Sequence, residues 1–299
     1  MRLLIAILTL LGLAQAQATI PELSRLTYGG GSLEVVRTME SNAAFTRYLV
    51  RYPSDGLTLY GFMNVPRAAG RFPVVIVIHG YVNPATYRTL AYTTRYADNL
   101  ARAGFVTIHP NLRGHGLSQG RPETGASRVL YAREILDLAA IVRSGAGRGS
   151  LAKATEQIGL MGHSMGGGIA QRVAVLDPRI GGVLLYGTMH GNDNQNARQI
   201  CFVFSGRTRG CGEINQDLSQ VSPINYFGRI RARVQVHHGT ADTQTPYRWS
   251  GEICAALAKA EVRHACFTYQ GAGHSFQGAN YTTLMTRARA FFRAALSGG

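Results

Sequence analysis

A serine flanked by glycines is the residue of this chain whose surroundings point most clearly to chemistry. Residues 160–168 read Leu-Met-Gly-His-Ser-Met-Gly-Gly-Gly, which places Ser164 in a G-x-S-x-G motif between an apolar run and a helical pattern. The glycines allow the sharp strand-to-helix turn that holds a nucleophilic serine clear of its sheet. The backbone N–H of Met165 then points at an anion that forms beside the hydroxyl. The motif therefore predicts nucleophilic catalysis by Ser164.

A serine hydroxyl needs a general base, and the base needs an acid that orients it. Asp242 follows one apolar run, and His274, with glycine before it, follows the next apolar run along the chain. Asp193 and Asp217 are alternative acids, but neither has the His-Gly-x-x-Asp spacing that precedes Asp242. We therefore predict a catalytic triad of Ser164, Asp242 and His274.

Four segments resemble the α/β-hydrolase superfamily, in particular the group of dienelactone hydrolases and prolyl-oligopeptidase-like catalytic domains. They are residues 74–81, the turn 111–118 (Asn-Leu-Arg-Gly-His-Gly-Leu-Ser), the turn at Ser164, and the pair of loops that carry Asp242 and His274. The chain order Ser, Asp, His is also the order of this superfamily. The resemblance extends over roughly residues 45–296 and implies one α/β-hydrolase domain.

The resemblance also assigns supporting roles. It implies an oxyanion hole formed by the backbone N–H groups of Tyr81 and Met165. Asn111 stands where the family usually has Asp, which affects the support of the turn rather than the chemistry. His163, beside the nucleophile, is expected to pack in the interior. His79 and His115 are expected to hold loop backbones by hydrogen bonds.

No metal or organic cofactor is required by this chemistry, and the sequence signals none. His237 and His238 are adjacent in a predicted strand, where neighbouring side chains face opposite ways. They cannot readily share a metal ion.

Apolar runs predict an α/β fold with a mostly parallel twisted sheet, helices on both faces and a small cap insertion. The early runs alternate and indicate antiparallel strands, whereas the later runs are separated by helices. The predicted strands are 33–38, 46–52, 57–65, 74–78, 106–110, 158–162, 183–186, 234–237 and 266–269. The predicted helices are 91–103, 127–143, 165–176, 248–259 and 281–296.

More than forty residues separate two of these strands, and connections of that length usually carry function or helices of their own. We predict a cap over about residues 187–217, as is common in the superfamily. The alternative is a connection that faces solvent and does not touch substrate. Tyr87, Phe202 and Phe204 are candidates for the substrate pocket.

The N-terminus resembles a secretory signal peptide. Arg2 precedes an apolar stretch over residues 3–13, and Ala14-Gln15-Ala16 is a small-x-small cleavage site. We predict a signal peptide over residues 1–16, a single domain over 17–299, and a secreted or periplasmic mature protein. The alternative is an uncleaved membrane anchor, although the apolar stretch is short for a bilayer.

The four cysteines agree with export, because disulfides persist in oxidising compartments. Three connectivities are possible for four cysteines. Pairing of nearest neighbours, Cys201–Cys211 and Cys254–Cys266, is the simplest, and the first pair would staple the cap. Free thiols and a zinc site are alternatives, but no C-x-x-C motif is present.

Basic residues outnumber acidic ones by 31 to 16, which gives a formal net charge of +15. Their densest cluster is Arg229-x-Arg231-x-Arg233. Motifs of nucleic-acid modules are missing from the sequence. We therefore expect no specific nucleic-acid partner and no stable membrane insertion, and interpret the charge as serving solubility or loose association with anionic surfaces.

The predicted function is an exported serine esterase that cleaves small or polymeric carboxylic esters through an acyl-enzyme on Ser164. A prolyl-oligopeptidase-like peptidase, a secreted polyester hydrolase and an acyltransferase are alternatives that would use the same triad. A non-catalytic binding module is a further alternative, but such proteins normally lose a triad residue or the glycines of the turn.

Overall fold

A nine-stranded sheet is the centre of the computed structural model, which describes residues 18–123, 128–204 and 217–297. Its strands are β1 (Glu34–Ser41), β2 (Phe45–Ser54), β3 (Leu57–Pro66), β4 (Phe72–Ile78), β5 (Val106–Pro110), β6 (Ala154–His163), β7 (Ile180–Tyr186), β8 (Arg233–Gly239) and β9 (His264–Tyr269). Their order across the sheet is β1-β2-β3-β5-β4-β6-β7-β8-β9. The pairs β1–β2, β2–β3 and β3–β5 are antiparallel, and every later pair is parallel.

Seven α-helices accompany the sheet within the described ranges. They are α1 (Ile20–Leu23), α2 (Thr94–Arg102), α3 (Val129–Gly145), α4 (Met165–Leu176), α5 (Asp193–Phe204), α6 (Arg248–Lys259) and α7 (Gly278–Leu296). Apolar side chains of α3, α4 and α6 pack against one face of the sheet, and those of α2 and α7 pack against the other. The predicted α/β class, with a mostly parallel sheet covered on both faces, is confirmed.

The strand predictions succeed because the central strands are short and mostly apolar. The side chains of β5 are all buried, as is expected for a strand with helices on both of its faces. Helices α4 and α6 have the predicted bounds. Helix α5, in contrast, lies inside the segment that was predicted as a cap without assigned helices.

Helix α5 was not predicted because Asp193, Asn194 and Asn196 in its first turns favour loops. A buried ion pair explains why this sequence is helical here. The Arg172 guanidinium on α4 pairs with the Asp193 carboxylate, and both side chains are almost fully buried. Asn196 also donates to Asp193 at 2.9 Å. The start of α5 is thereby attached to the helix that follows Ser164.

The cap over 187–217 stays a prediction, because residues 205–216 lie outside the described part of the chain. The predicted Cys201–Cys211 disulfide also stays a prediction, because Cys211 lies outside the described residues. The signal peptide predicted over residues 1–16 lies outside them as well. The Cys254–Cys266 disulfide is present, with a Cα–Cα distance of 6.6 Å, and joins α6 to β9. In the ranges that the structure describes, no helix has the length and apolar character needed to cross a membrane.

Candidate active site

Ser164 lies on a sharp turn between β6 and α4. Its backbone has φ 55° and ψ −119°, a conformation that residues with a side chain rarely adopt. The neighbouring glycines are sterically required. A Cβ on Gly162 would lie 2.3 Å from the Gly166 carbonyl oxygen, and one on Gly166 would lie 2.2 Å from the Ile78 carbonyl oxygen. The glycines of the motif therefore allow β4, β6 and α4 to approach closely enough to present Ser164.

Asp242 and His274 come together at the same edge of the sheet. They follow β8 and β9, which are parallel neighbours, so that their carboxyl ends meet where β6 delivers Ser164. The Asp242 Oδ2 atom lies 2.8 Å from the His274 Nδ1 atom. This bond leaves the other imidazole nitrogen of His274 available for a proton from an alcohol.

Asp242 is held by more donors than His274 alone. The backbone N–H groups of Gln244 and Thr245 donate to its Oδ1 at 2.8 and 3.0 Å, and the Thr245 hydroxyl donates to Oδ2 at 2.8 Å. His238 Nε2 lies 3.1 Å from the same Oδ2. Burial alone would raise the pKa of Asp242, but the hydrogen bonds from His238 and His274 hold that pKa below its usual range. Asp242 is therefore a carboxylate in a fixed orientation.

The His163 side chain contacts the backbone of the loop that carries His274. Its Nε2 lies 2.9 Å from the backbone oxygen of His274, which can only accept, so Nε2 carries the proton. Nδ1 then accepts a hydrogen bond from the Tyr92 hydroxyl. Burial lowers the pKa of His163 to about 3, so the ring is neutral at ordinary pH. The interior position predicted for His163 agrees with these contacts. The link to Tyr92 was missed, because its position in the sequence gives no sign of it.

A cavity of about 260 Å³ opens beside Ser164 and His274. Tyr81 and Met165, the predicted oxyanion donors, lie on its wall. Both Ser164 and His274 face this space, but no hydrogen bond joins these two described residues. In enzymes without substrate, such bonds are often long and tighten only when substrate binds. Apolar parts of the wall are supplied by Met165, Met189, Ile200 and Val203.

Two of the predicted pocket residues, Tyr87 and Phe202, do not line this cavity. Tyr87 is buried behind the site, where its hydroxyl donates to Asn111 Oδ1 at 2.8 Å. Phe202 is 42% exposed and lines a separate groove beside Trp249. Successive helical residues are rotated by about 100°, so α5 turns Ile200 and Val203 toward the cavity instead. Phe204 ends α5, and its side chain is outside the described part of the chain.

Hydrogen bonds in the turn after β5 explain why Asn111 stands where the family usually has Asp. Its amide oxygen accepts from Tyr87, and its amide nitrogen donates to the Thr89 hydroxyl at 3.0 Å. A carboxylate in this position could only accept. His79 Nδ1 and His115 Nδ1 contact the backbone oxygens of Gly80 and Arg113 at 2.7 and 3.0 Å, as predicted.

The remaining candidates are accounted for by other contacts. Asp193 pairs with Arg172, and Asp217 is exposed before the chain reaches β8. His237 faces Tyr269, whereas His238 faces Asp242. Within the described residues, no group of three or more His, Cys, Asp or Glu side chains could hold a metal ion.

The sequence is similar to a known family of hydrolases. The model of the dienelactone hydrolase family matches residues 59–290. A protein of Synechocystis sp., a proposed carboxymethylenebutenolidase, is 27% identical over 238 residues, which cover 76% of this chain and 85% of the relative.

Solved structures share the fold at low sequence identity. Acetyl xylan esterase 1 of Thermoanaerobacterium sp. aligns with a TM-score of 0.64 and 19% identity, and covers 88% of this chain and 89% of the esterase. The acylaminoacyl peptidase of Pyrococcus horikoshii aligns with a TM-score of 0.68 and 14% identity, over 92% of this chain and 51% of the peptidase. At these identities the comparison establishes the α/β-hydrolase fold.

Proposed function

The chain belongs to the dienelactone hydrolase family, and we propose that it is a serine esterase whose acyl-enzyme forms on Ser164. The observation that carries the proposal is that Ser164 and His274 line one cavity, while Asp242 is bonded to His274 behind it. Ser164 stands on a strained turn, and His274, which Asp242 orients, faces the same space. A nucleophile, a base and an acid in this relation are the requirements for acyl transfer through a covalent intermediate.

The proposed reaction has two halves. His274 takes the proton of the Ser164 hydroxyl as its oxygen attacks the ester carbonyl carbon. The N–H groups of Tyr81 and Met165 then stabilise the oxyanion, and the positive end of α4 adds to that field. When the carbon–oxygen bond breaks, His274 returns the proton to the leaving alcohol. Water, deprotonated by His274, releases the acid and restores Ser164.

The cavity wall supports an ester with an apolar group of moderate size. Met189, Ile200 and Val203 provide apolar surface close to Ser164. Burial of apolar surface contributes about 25 cal/mol per Å², so such a group would bind in this space by desolvation. We expect the acyl-chain preference to be set by α5, which supplies Ile200 and Val203.

The proposal is tested by substrate profiling and covalent labelling of the mature protein. We expect hydrolysis of p-nitrophenyl esters across an acetate-to-palmitate series, with a maximum at short or medium chains. A fluorophosphonate probe should label one tryptic peptide, the one that contains Ser164. Cleavage of a dipeptide anilide with little ester turnover would instead indicate a peptidase. Absence of both turnover and labelling would contradict the proposal and favour the binding module.

The same panel separates the related activities that use this triad. Release of soluble acids from a polyester film would identify a polyester hydrolase. Ester formation with an added alcohol, in competition with water, would identify an acyltransferase.

His238 is a positioning residue in this proposal, because it contacts Asp242 and not the cavity. We expect His238→Leu to lower kcat about tenfold with KM unchanged, since a hydrogen bond to a charged group is worth roughly 1.5–3 kcal/mol. Steady-state kinetics on the best ester checks this. His264→Leu, at a partly exposed histidine, is the control. A change in KM alone would contradict a role in orienting the triad.

We also propose that the protein is exported. The Cys254–Cys266 disulfide supports an oxidising compartment. Mass spectrometry of the protein from its native host should show an N-terminus after residue 16. An intact Met1 on protein in the cytosolic fraction would contradict export.

A further inference from the structure

Two arginines meet at the edge of the sheet that lies opposite the candidate active site. In the register of β8 and β9, Val234 pairs with His264, so Arg233 and Arg263 are neighbours at the starts of the two strands. They also share a face. Val234 and Val236 pack in the core with α6, which directs Arg233 to the other face, where α7 lies. Arg263 lies four residues before Phe267, so both side chains are on the same face of the strand, and Phe267 packs on the α7 side.

A third arginine completes a groove on that face. Arg287 of α7 lines the groove together with Arg233 and Arg263. Small residues of α7, Ala290 and Ala294, leave the space open, and its volume is about 430 Å³. The Arg287 guanidinium lies 4.2 Å from the centre of the Phe267 ring, which holds it in place. The groove extends about 10 Å along α7, two helical turns from Arg287 to Ala294.

Arg233, Arg263 and Arg287 have no acidic partners among the described residues, in contrast to the buried arginines of the fold. Arg113, Arg143 and Arg172 each pair with a carboxylate. Among the described residues, no carboxylate lies within 4.0 Å of a side-chain nitrogen of Arg233, Arg263 or Arg287. Like charges on neighbouring strands destabilise a sheet. The cluster therefore lacks a structural explanation from ion pairing and is suited to an external anion.

We propose that this groove binds a phosphate-type oxyanion, with Arg233 and Arg263 as the first ligands and Arg287 as a second contact along the groove. The guanidinium group matches phosphate oxygens with paired N–H donors, which makes arginine more suitable than lysine for such a site. Because the positive charges lie at two points of an elongated groove, a chain of phosphates fits it better than a single phosphate. The anion would anchor the protein while the carboxyl edge of the sheet stays free for substrate.

Isothermal titration of the full mature chain with inorganic phosphate and with tripolyphosphate tests this site. We expect tripolyphosphate to bind more tightly than phosphate. The variant Arg233→Gln/Arg263→Gln/Arg287→Gln should weaken that binding by tenfold or more, since it removes the charged hydrogen bonds to the anion. Ester hydrolysis should be unchanged, because none of these residues lies near Ser164. The variant should melt at the same or a higher temperature without anion, since repulsion is relieved.

A variant with the same net charge is the matched control. Arg25→Gln/Arg37→Gln/Arg121→Gln removes three exposed arginines from elsewhere on the surface. Equal loss of tripolyphosphate binding in both variants would overturn the proposal, because the affinity would then come from overall charge. If the triple variant does not fold, Arg263→Gln repeats the test at an exposed position.

Co-sedimentation with vesicles identifies the source of the anion. Binding to phosphatidylglycerol vesicles that is lost in the groove variant, and retained in the control, indicates a lipid headgroup. Tripolyphosphate binding without vesicle binding indicates a soluble phosphate compound. Absence of both would reject the site.

Discussion

Replacement of Ser164 by alanine is expected to abolish ester hydrolysis while the fold is retained. In serine hydrolases, loss of the nucleophile reduces kcat by about a millionfold. The substitution removes one oxygen atom from a side chain that faces the cavity, so we expect little change in stability. Initial rates on the best p-nitrophenyl ester, with a fluorophosphonate label as a second readout, measure both activity and covalent reactivity.

The matched control is Ser32→Ala, which makes the same chemical change in the exposed segment before β1. It should keep full activity and full labelling. If Ser164→Ala keeps more than a small percentage of the wild-type rate, water attacks the ester without an acyl-enzyme, and the proposed mechanism is wrong. If labelling persists in Ser164→Ala, the reactive group is elsewhere.

Local sequence signals were sufficient for the scaffold and for the proximity of Asp242 to His274 at the edge of the sheet that carries Ser164. The motif around Ser164 predicts the turn by itself, because a Cβ on Gly162 or Gly166 would clash with a backbone carbonyl oxygen nearby. Asp242 and His274 were predicted because each lies in the loop that follows a strand, and parallel strands deliver their following loops to one edge. In these cases the sequence neighbourhood determines the geometry.

Side-chain direction in α5 could not be predicted in the same way. Its helical state depends on the buried pair of Asp193 with Arg172, which are distant in sequence. A reader of the sequence who does not predict this helix cannot tell that Ile200 points to the cavity and Phe202 away from it. Tyr92 likewise reaches His163 across 71 residues of chain. These features follow from long-range packing, for which single-sequence patterns carry no signal.

Acidification is expected to destabilise the protein strongly, because several histidines are buried in the neutral form. Burial lowers the pKa of His109 to about 4, and burial together with nearby positive charge lowers those of His163 and His237 to about 3. Burial and neighbouring imidazoles also lower the pKa of His79 well below its ordinary value. In the unfolded chain these groups titrate near 6.5.

The sign of the effect follows from proton uptake. Above pH 6.5 both states are neutral at these sites, and the free energy of unfolding is unaffected. As the pH falls from 6.5 toward the folded pKa values, only the unfolded chain binds protons, and each histidine lowers the free energy of unfolding by about 1.4 kcal/mol per pH unit. Glu134 acts in the opposite direction, because burial raises its pKa to about 7 and the folded state then binds its proton first. The net effect of these groups between pH 6.5 and 5 is a loss of stability, because four histidines oppose one glutamate.

Urea unfolding of wild type and His237→Gln between pH 7.5 and 5 isolates one of these histidines. Glutamine can still hydrogen-bond to Tyr269, the partner of His237 at 2.9 Å, but it does not titrate. We expect the slope of unfolding free energy against pH to fall by about 1.4 kcal/mol per pH unit in this variant, with an unchanged m-value. His264→Gln, at a partly exposed position, is the control for the substitution itself. Parallel curves for wild type and His237→Gln would contradict the prediction, because they would mean that this ring has the same pKa in the folded and unfolded states.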